Sequence, residues 1–393
     1  MKFITAAIAF LVTASFWPGI AGAATTPRWA ILAVMVAVAQ FFVKPKLTLA
    51  HVILAVLLCW MAVSMLWSIV GYDWLFMMCK MLIIAGLFVV AAEIKNIEPL
   101  IAGCILGITV NSVVVIAQVN GWQGLGQLVP PGGLFLNRDI GSETAALLLI
   151  AIVYQGPRLW WGFPLVFPSF ILPHSRGSVA AVVVVAVSAL LRKWPKFIVI
   201  VSSIAIAVIA LHYIVHTDGA IDERFDIWRD TIDGYRWLGN GLGQYYVTYP
   251  NIASRIDTLQ QRPEHAHNDI LELGYELGCG LLLVVAFLRS VWRGALPAER
   301  AVLLGFAVEG CFGFPLYMPV SAAIFAVMAG RLAGSGPSLR NDINDGRMVC
   351  FLWLEHIIEY IGRREKHRYG EEIIPAGIPQ QERARLRVLG GDT

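Results

Sequence analysis

The sequence predicts an all-α polytopic membrane protein of about twelve transmembrane helices, on three observations. Of its 393 residues 58% are hydrophobic and 15% charged, with a mean hydropathy of +0.68, so the chain carries more apolar surface than a soluble domain can bury. Those apolar residues fall into runs close to the ~20 residues that a helix needs to cross a hydrocarbon core of ~30 Å. Lys and Arg recur in alternate connections between the runs, the pattern left by basic loops that stay in the cytoplasm. A formal net charge of +3 is too small to indicate a nucleic-acid partner. Cys59, Cys79, Cys104, Cys279 and Cys311 sit inside apolar runs with no CxxC pair, which indicates neither a disulfide framework nor a zinc site.

In order, the runs are 3–24, 29–43, 48–70, 74–93, 98–119, 141–156, 159–174, 177–191, 196–215, 270–288, 299–314 and 319–335. The second, sixth, seventh and eighth are short, which leaves the count open by one or two. One side collects Lys2, Lys44, Lys46, Lys95, Arg158, Arg192, Lys193, Lys196, Arg289, Arg293, Arg300 and the Arg-rich tail. That side is the cytoplasm, and both termini lie there. The other side receives single arginines, Arg28, Arg138 and Arg176, and one long segment, 216–269, between the ninth and tenth helices. Met-Lys, an apolar stretch and "GIAGAA" also fit a cleaved leader ending at Ala21-Gly22-Ala23, and both readings orient the later helices alike. The chain thus divides into a membrane domain, 1–335, and a polar cytoplasmic tail, 336–393. In the tail, 349–362 followed by "RREKHR" reads either as a helix on the membrane surface or as a solvated one. There is no internal repeat.

Threading gathers the unusual polar residues on the outer side. Arg176 lies in a tight Ser-Arg-Gly junction between two apolar helices, where an Arg needs an anionic partner or a route to lipid phosphates. Within the long segment a helix is expected from Asp222, as N-cap, to about Tyr235. Phe225, Trp228, Ile232 and Tyr235 form an apolar stripe on it that rests on the membrane or the bundle, with Arg224 one turn before Trp228. "GNGLG" (239–243) is read as a turn, because it lacks the strand and helix of a nucleotide-binding loop. His265, His267, Asp269 and Glu272 match no metal-binding spacing, and a neutral imidazole suits proton abstraction from a hydroxyl. Inside the apolar runs Lys80 and Glu309 stand out as intramembrane charges, with Glu309 expected to pair with Lys80 or with an outer arginine. No nucleoside triphosphate is found outside the cytoplasmic membrane, so a bond-forming enzyme facing that way needs a donor that carries its own activation. A lipid-linked pyrophosphate held by arginines would serve.

"LFLNRD" (134–139), "SRGS" (175–178), "RFDIW" (224–228), "GNGLGQY" (239–245), "HAHNDILELGYELGCG" (265–280) and "FGFPLYMP" (312–319) stand in the order seen in the bacterial O-antigen ligase and polymerase superfamily, which the chain resembles from about residue 60 to 335. The strongest piece is His267, Asn268, Leu271, Glu276 and Gly278. The chain departs from the pattern at Asp139, where the family often has Asn. The resemblance implies a GT-C-like architecture in the bacterial inner membrane and transfer of a glycan from undecaprenyl pyrophosphate to an acceptor hydroxyl on the periplasmic side. It implies no metal and no cofactor. The acceptor is lipid A core for a ligase and another lipid-linked repeat for a polymerase. Carried over by motif, His267 is the base and Arg176 and Arg224 grip the donor pyrophosphate. Arg138, Trp228, His265, Asn268 and Glu309 are expected in support, and the role of His265 stays open because it lies outside the matching core. A transporter or flippase of lipid-linked sugars and a structural scaffold remain the readings from other classes.

Overall fold

The computed structural model describes residues 2–20, 22–126, 130–191, 220–254, 263–294 and 296–339. The chain divides into two compact units, Met1–Pro337 and Ser338–Thr393. Nearly all of the second lies outside the described residues, as do the predicted helix 196–215 and the tail helix 349–362. Among the described residues the protein is all-helical. The long helices are α1 (Lys2–Ala14), α2 (Thr26–Gln40), α3 (Leu49–Val63, extended by a 3-10 turn to Trp67), α4 (Gly71–Ala91), α5 (Glu98–Val119), α6 (Arg138–Gln155), α7 (Phe163–Ile171) and α8 (Arg176–Leu191). After them come α9 (Ala220–Asp233), the short α10 (Tyr245–Thr248), α11 (Asp269–Leu277), α12 (Leu281–Val291), α13 (Pro297–Gly310) and α14 (Pro319–Gly334). Among the described residues four stretches are long and apolar enough to cross a membrane: Leu49–Trp67, Gly71–Ala91, Glu98–Val119 and Asp269–Val291.

Packing follows side-chain size. In α6 every residue from Gly141 to Ile152 is buried, as expected of a helix that is apolar all round. It lies against α7, α8 and α13. At two crossings glycines spaced four apart bring backbones together: Gly103 and Gly107 of α5 on Ala6 and Thr13 of α1, and Gly330 and Gly334 of α14 on the Phe88 and Ala92 carbonyls of α4.

Three expectations are corrected. The first apolar run, 3–24, is not one helix: α1 stops at Ala14, because Pro18 and Gly19 interrupt it, and at 13 residues it is about 20 Å long. Arg28 is not a loop residue but is buried at 1% exposure. Its guanidinium donates to the carbonyls of Thr13 (3.1 Å) and Leu134 (3.3 Å) and lies over the Phe135 ring (4.0 Å). Asp222 lies within α9, which is described from Ala220, rather than capping it.

Of the expected stripe on α9 only Trp228 packs inward. Phe225, Ile232 and Tyr235 are exposed, while Ile227, Asp230 and Thr231 are buried. Asp230 Oδ2 accepts from the Ser254 backbone N–H (2.9 Å), the Ser254 hydroxyl (3.0 Å) and the Tyr249 hydroxyl (3.3 Å), and the Thr231 hydroxyl meets that of Tyr245 (2.9 Å). Satisfied polar groups therefore face inward.

The "GNGLG" turn fills a break in the helix that runs from Asp269 to Val291. At Gly278, φ 56°, α11 gives way to a 3-10 turn, which frees backbone groups. The turn supplies partners: Asn240 N–H donates to Tyr275 C=O and Gly241 N–H to Glu276 C=O, both at 2.9 Å, and Cys279 N–H donates to Trp237 C=O at 2.8 Å. Gly239 (φ 81°) and Gly241 (φ 100°) take the left-handed backbone that this close approach requires.

Candidate functional site

The connection between α13 and α14, Cys311–Met318, is the point at which the outer elements meet. Arg224 of α9 donates through Nη1 to the Phe312 carbonyl (3.1 Å). A β-carbon at Gly177, the residue after Arg176 at the start of α8, would lie 3.4 Å from Phe312 Cβ. Asn268 Nδ2 donates to the Cys311 carbonyl (3.2 Å), and Leu316 N–H donates to Asp269 Oδ2 (3.1 Å). His265 and His267 both lie against the Phe314 ring, with centroids 4.5 and 5.3 Å away. Thus Cys311–Leu316 carries backbone and ring contacts to Arg224, His265, His267, Asn268 and Asp269, and touches the start of α8 at Gly177.

His267 is held from both sides. On its N-terminal side, Ala266 donates its N–H to Glu272 Oε2 (2.8 Å) and accepts the Trp228 indole N–H on its carbonyl (3.0 Å). On its C-terminal side, Asn268 is the N-cap of α11, and its Oδ1 accepts from the Ile270 and Leu271 N–H groups, each at 3.1 Å. Between these anchors His267 takes φ 51°, a conformation that costs a non-glycine residue on the order of 1 kcal/mol or more and persists where its neighbours dictate it. Burial, then the charge of Arg224, then His265 push its imidazole down to about 4, while Asp139 opposes them. At neutral pH it is an uncharged base.

His265 has a different environment. Its Nδ1 lies 2.8 Å from Glu272 Oε1, its side chain is 15% exposed, and its ring is covered by Phe314 and Tyr317. Burial and then Lys80 lower it to about 3. It is a neutral, fixed ring that positions the loop.

Glu309 does not pair with Lys80. Lys80 Nζ lies 4.4 Å from the Phe76 ring centroid, and its charge acts on Glu272 and Glu276 of α11. Glu309, fully buried in α13, has Glu143 of α6 as its electrostatic neighbour, and neither Glu309 oxygen has a hydrogen-bond partner among the described residues. The physical reason is position along the helices: Glu309 is level with Gly313, whose β-carbon would meet the Glu143 carboxylate, and Lys80 is turned to α11. Arg138 is exposed at the start of α6, and Asp139 beside it acts on both His267 and Glu143.

Two residues were missed in the sequence. Glu143 stands in the run 141–156, and the rule that marks Lys80 and Glu309 as intramembrane charges would have found it. Glu272 was weighed only as a metal ligand, and nothing local indicates that it reaches back to residues 265 and 266. No group of three or more His, Cys, Asp or Glu among the described residues is arranged to hold a metal ion. Compared with known proteins, the chain matches no family model and no curated protein.

Proposed function

We propose that this protein is a membrane glycosyltransferase of the O-antigen ligase type, with about twelve spans and a GT-C-like architecture in the bacterial inner membrane. It moves a glycan from undecaprenyl pyrophosphate to an acceptor hydroxyl on the periplasmic side. In this reading His267 takes the proton of the acceptor hydroxyl as that oxygen attacks the anomeric carbon, and Arg224 and Arg176 balance the charge of the departing pyrophosphate. The observation that carries the reading is an uncharged, strained His267 in electrostatic contact with Arg224, both anchored on the Cys311–Phe314 turn that also receives the start of α8. An apolar cavity of about 290 Å³ adds support, because it extends from Asp269, Gly310 and Leu316 beside the site to Val291 and Trp292 and offers an apolar surface to part of a lipid-linked substrate's chain. The acceptor is lipid A core for a ligase or a second lipid-linked unit for a polymerase.

The test is glycan transfer by purified full-length protein from a lipid-linked donor in detergent. His267→Ala should lose about 10²-fold or more of the rate, as expected for removal of a general base, and Arg224→Ala should fall comparably. Parental rates in both variants would remove the assignment. A flippase forms no glycosidic bond in detergent, so any His267-dependent product also separates the two classes.

A further inference from the structure

Beside the "GNGLG" turn lies a second cavity, of about 280 Å³, lined by Trp67, Asp233, Tyr235, Arg236, Asn240 and Tyr275 among others. It is close to Tyr275 in the last turns of α11, whereas His267 precedes the other end of that helix. Seven residues from Asn268 to Tyr275 correspond to about 10 Å. The cavity belongs to neither the His267 site nor the apolar cavity.

Its chemistry is specific. One carboxylate, Asp233, and one guanidinium, Arg236, leave it without net charge, which favours a neutral polyol over a phosphate or a carboxylate. Three aromatic side chains line it, and aromatic faces pack against the C–H faces of sugar rings. Tyr275 is a fixed ring, with its hydroxyl donating to Thr248 Oγ1 (2.9 Å) and its edge on Tyr245 (5.3 Å). Asn240 is 5% exposed. It donates through Nδ2 to the carbonyls of Gly234 (3.2 Å) and Tyr275 (3.1 Å), an orientation that leaves Oδ1 as an acceptor with no donor among the described residues.

Trp67 adds an indole to the lining. The neighbouring indoles are satisfied, Trp60 on Leu277 C=O (2.9 Å) and Trp74 on Met61 C=O (3.0 Å), but the buried Trp67 Nε1 has no partner among the described residues. A cavity of about 280 Å³ has room for a sugar ring with its hydroxyls.

We propose that this pocket is a glycan subsite that binds one uncharged sugar residue of the saccharide chain about 10 Å from His267. The inference rests on the glycan-transfer reading and adds to it where the chain beyond the reacting unit is held.

The experiment is saturation-transfer NMR on the full chain in a zwitterionic detergent, since a maltoside would itself compete. The probes are free tetrasaccharides of glucose, galactose, mannose and rhamnose, with a tetragalacturonate as the charged comparison. Saturation should pass to at least one neutral tetrasaccharide, equally in the parental protein and in His267→Ala. Trp67→Ala and the double variant D233N/R236Q should each weaken it about tenfold, the equivalent of one or two hydrogen bonds. The exposed double variant guards against misfolding of the Trp67 variant. Absence of transfer to every neutral probe, equal transfer to tetragalacturonate, or unchanged transfer in the double variant would each overturn the proposal. If a neutral probe binds as expected while His267→Ala still makes product, the catalytic reading falls and the subsite stands. If transfer of glycan needs His267 but no neutral probe binds, the subsite alone falls.

Discussion

At His267 a single side chain combines three conditions that a base for a sugar hydroxyl needs: it is uncharged, it is half-buried, and its backbone is fixed by residues on either side. The sign of the pH dependence follows. An ordinary imidazole protonates near pH 6.5, but burial and Arg224 hold His267 down to about 4. Activity should therefore persist as pH falls through 6.5 and be lost only as it approaches 4, read as the acid limb of kcat/KM. Arg224→Gln removes the second cause and should move that limb upward while lowering the rate. A limb near 6.5 in the parental protein would contradict this environment. His265 gives no such limb, because burial and Lys80 hold it lower still, at about 3.

At the scale of elements, the N-terminus of α11 positions the site, and the crossing of α4 with α14 holds two helices of the bundle together. Glu272→Ala leaves the Ala266 N–H and the His265 Nδ1 without their partner, at about 1–3 kcal/mol for each buried group. The variant should melt measurably lower in detergent, and Glu272→Gln, which keeps one acceptor oxygen, should lose less. An unchanged midpoint for Glu272→Ala would mean that the loop is held elsewhere. At the crossing, Gly330→Leu forces a side chain against the Phe88 carbonyl and the Ala91 methyl. We expect at least the 1–3 kcal/mol of an overpacked core, seen as reduced yield of folded protein or a lower midpoint. Normal yield and midpoint would show that the helices separate freely there.

For the whole molecule, the alternation of basic connections makes a directional prediction. In a cysteine-free parent, a cysteine at Asn251 should be labelled by a membrane-impermeant maleimide in intact cells, and one at Asn96 only after permeabilisation. Labelling of both from the same side would break the threading. Apolar runs and their basic flanks were legible in the sequence because the bilayer acts locally: it fixes a length of about 20 residues and sorts charges near the ends of each run. For the same reason Lys80 and Glu309 could be marked as unusual one at a time. Their partners could not be read, since Glu309 meets Glu143 and Lys80 faces Glu272 and Glu276 only after helices distant in the chain have packed. The inward face of α9 was hidden for a related reason: Asp230 and Thr231 are buried where Ser254 and Tyr245, far along the chain, supply their hydrogen bonds. What the amino-acid sequence determined by itself was the all-helical, membrane-embedded character and the identity of His267 and Arg224 as candidates, because hydropathy and residue chemistry belong to each position alone. Only the tertiary structure decided that residues 143, 224, 267 and 312 share one neighbourhood, because bringing them together depends on contacts between segments far apart in the chain.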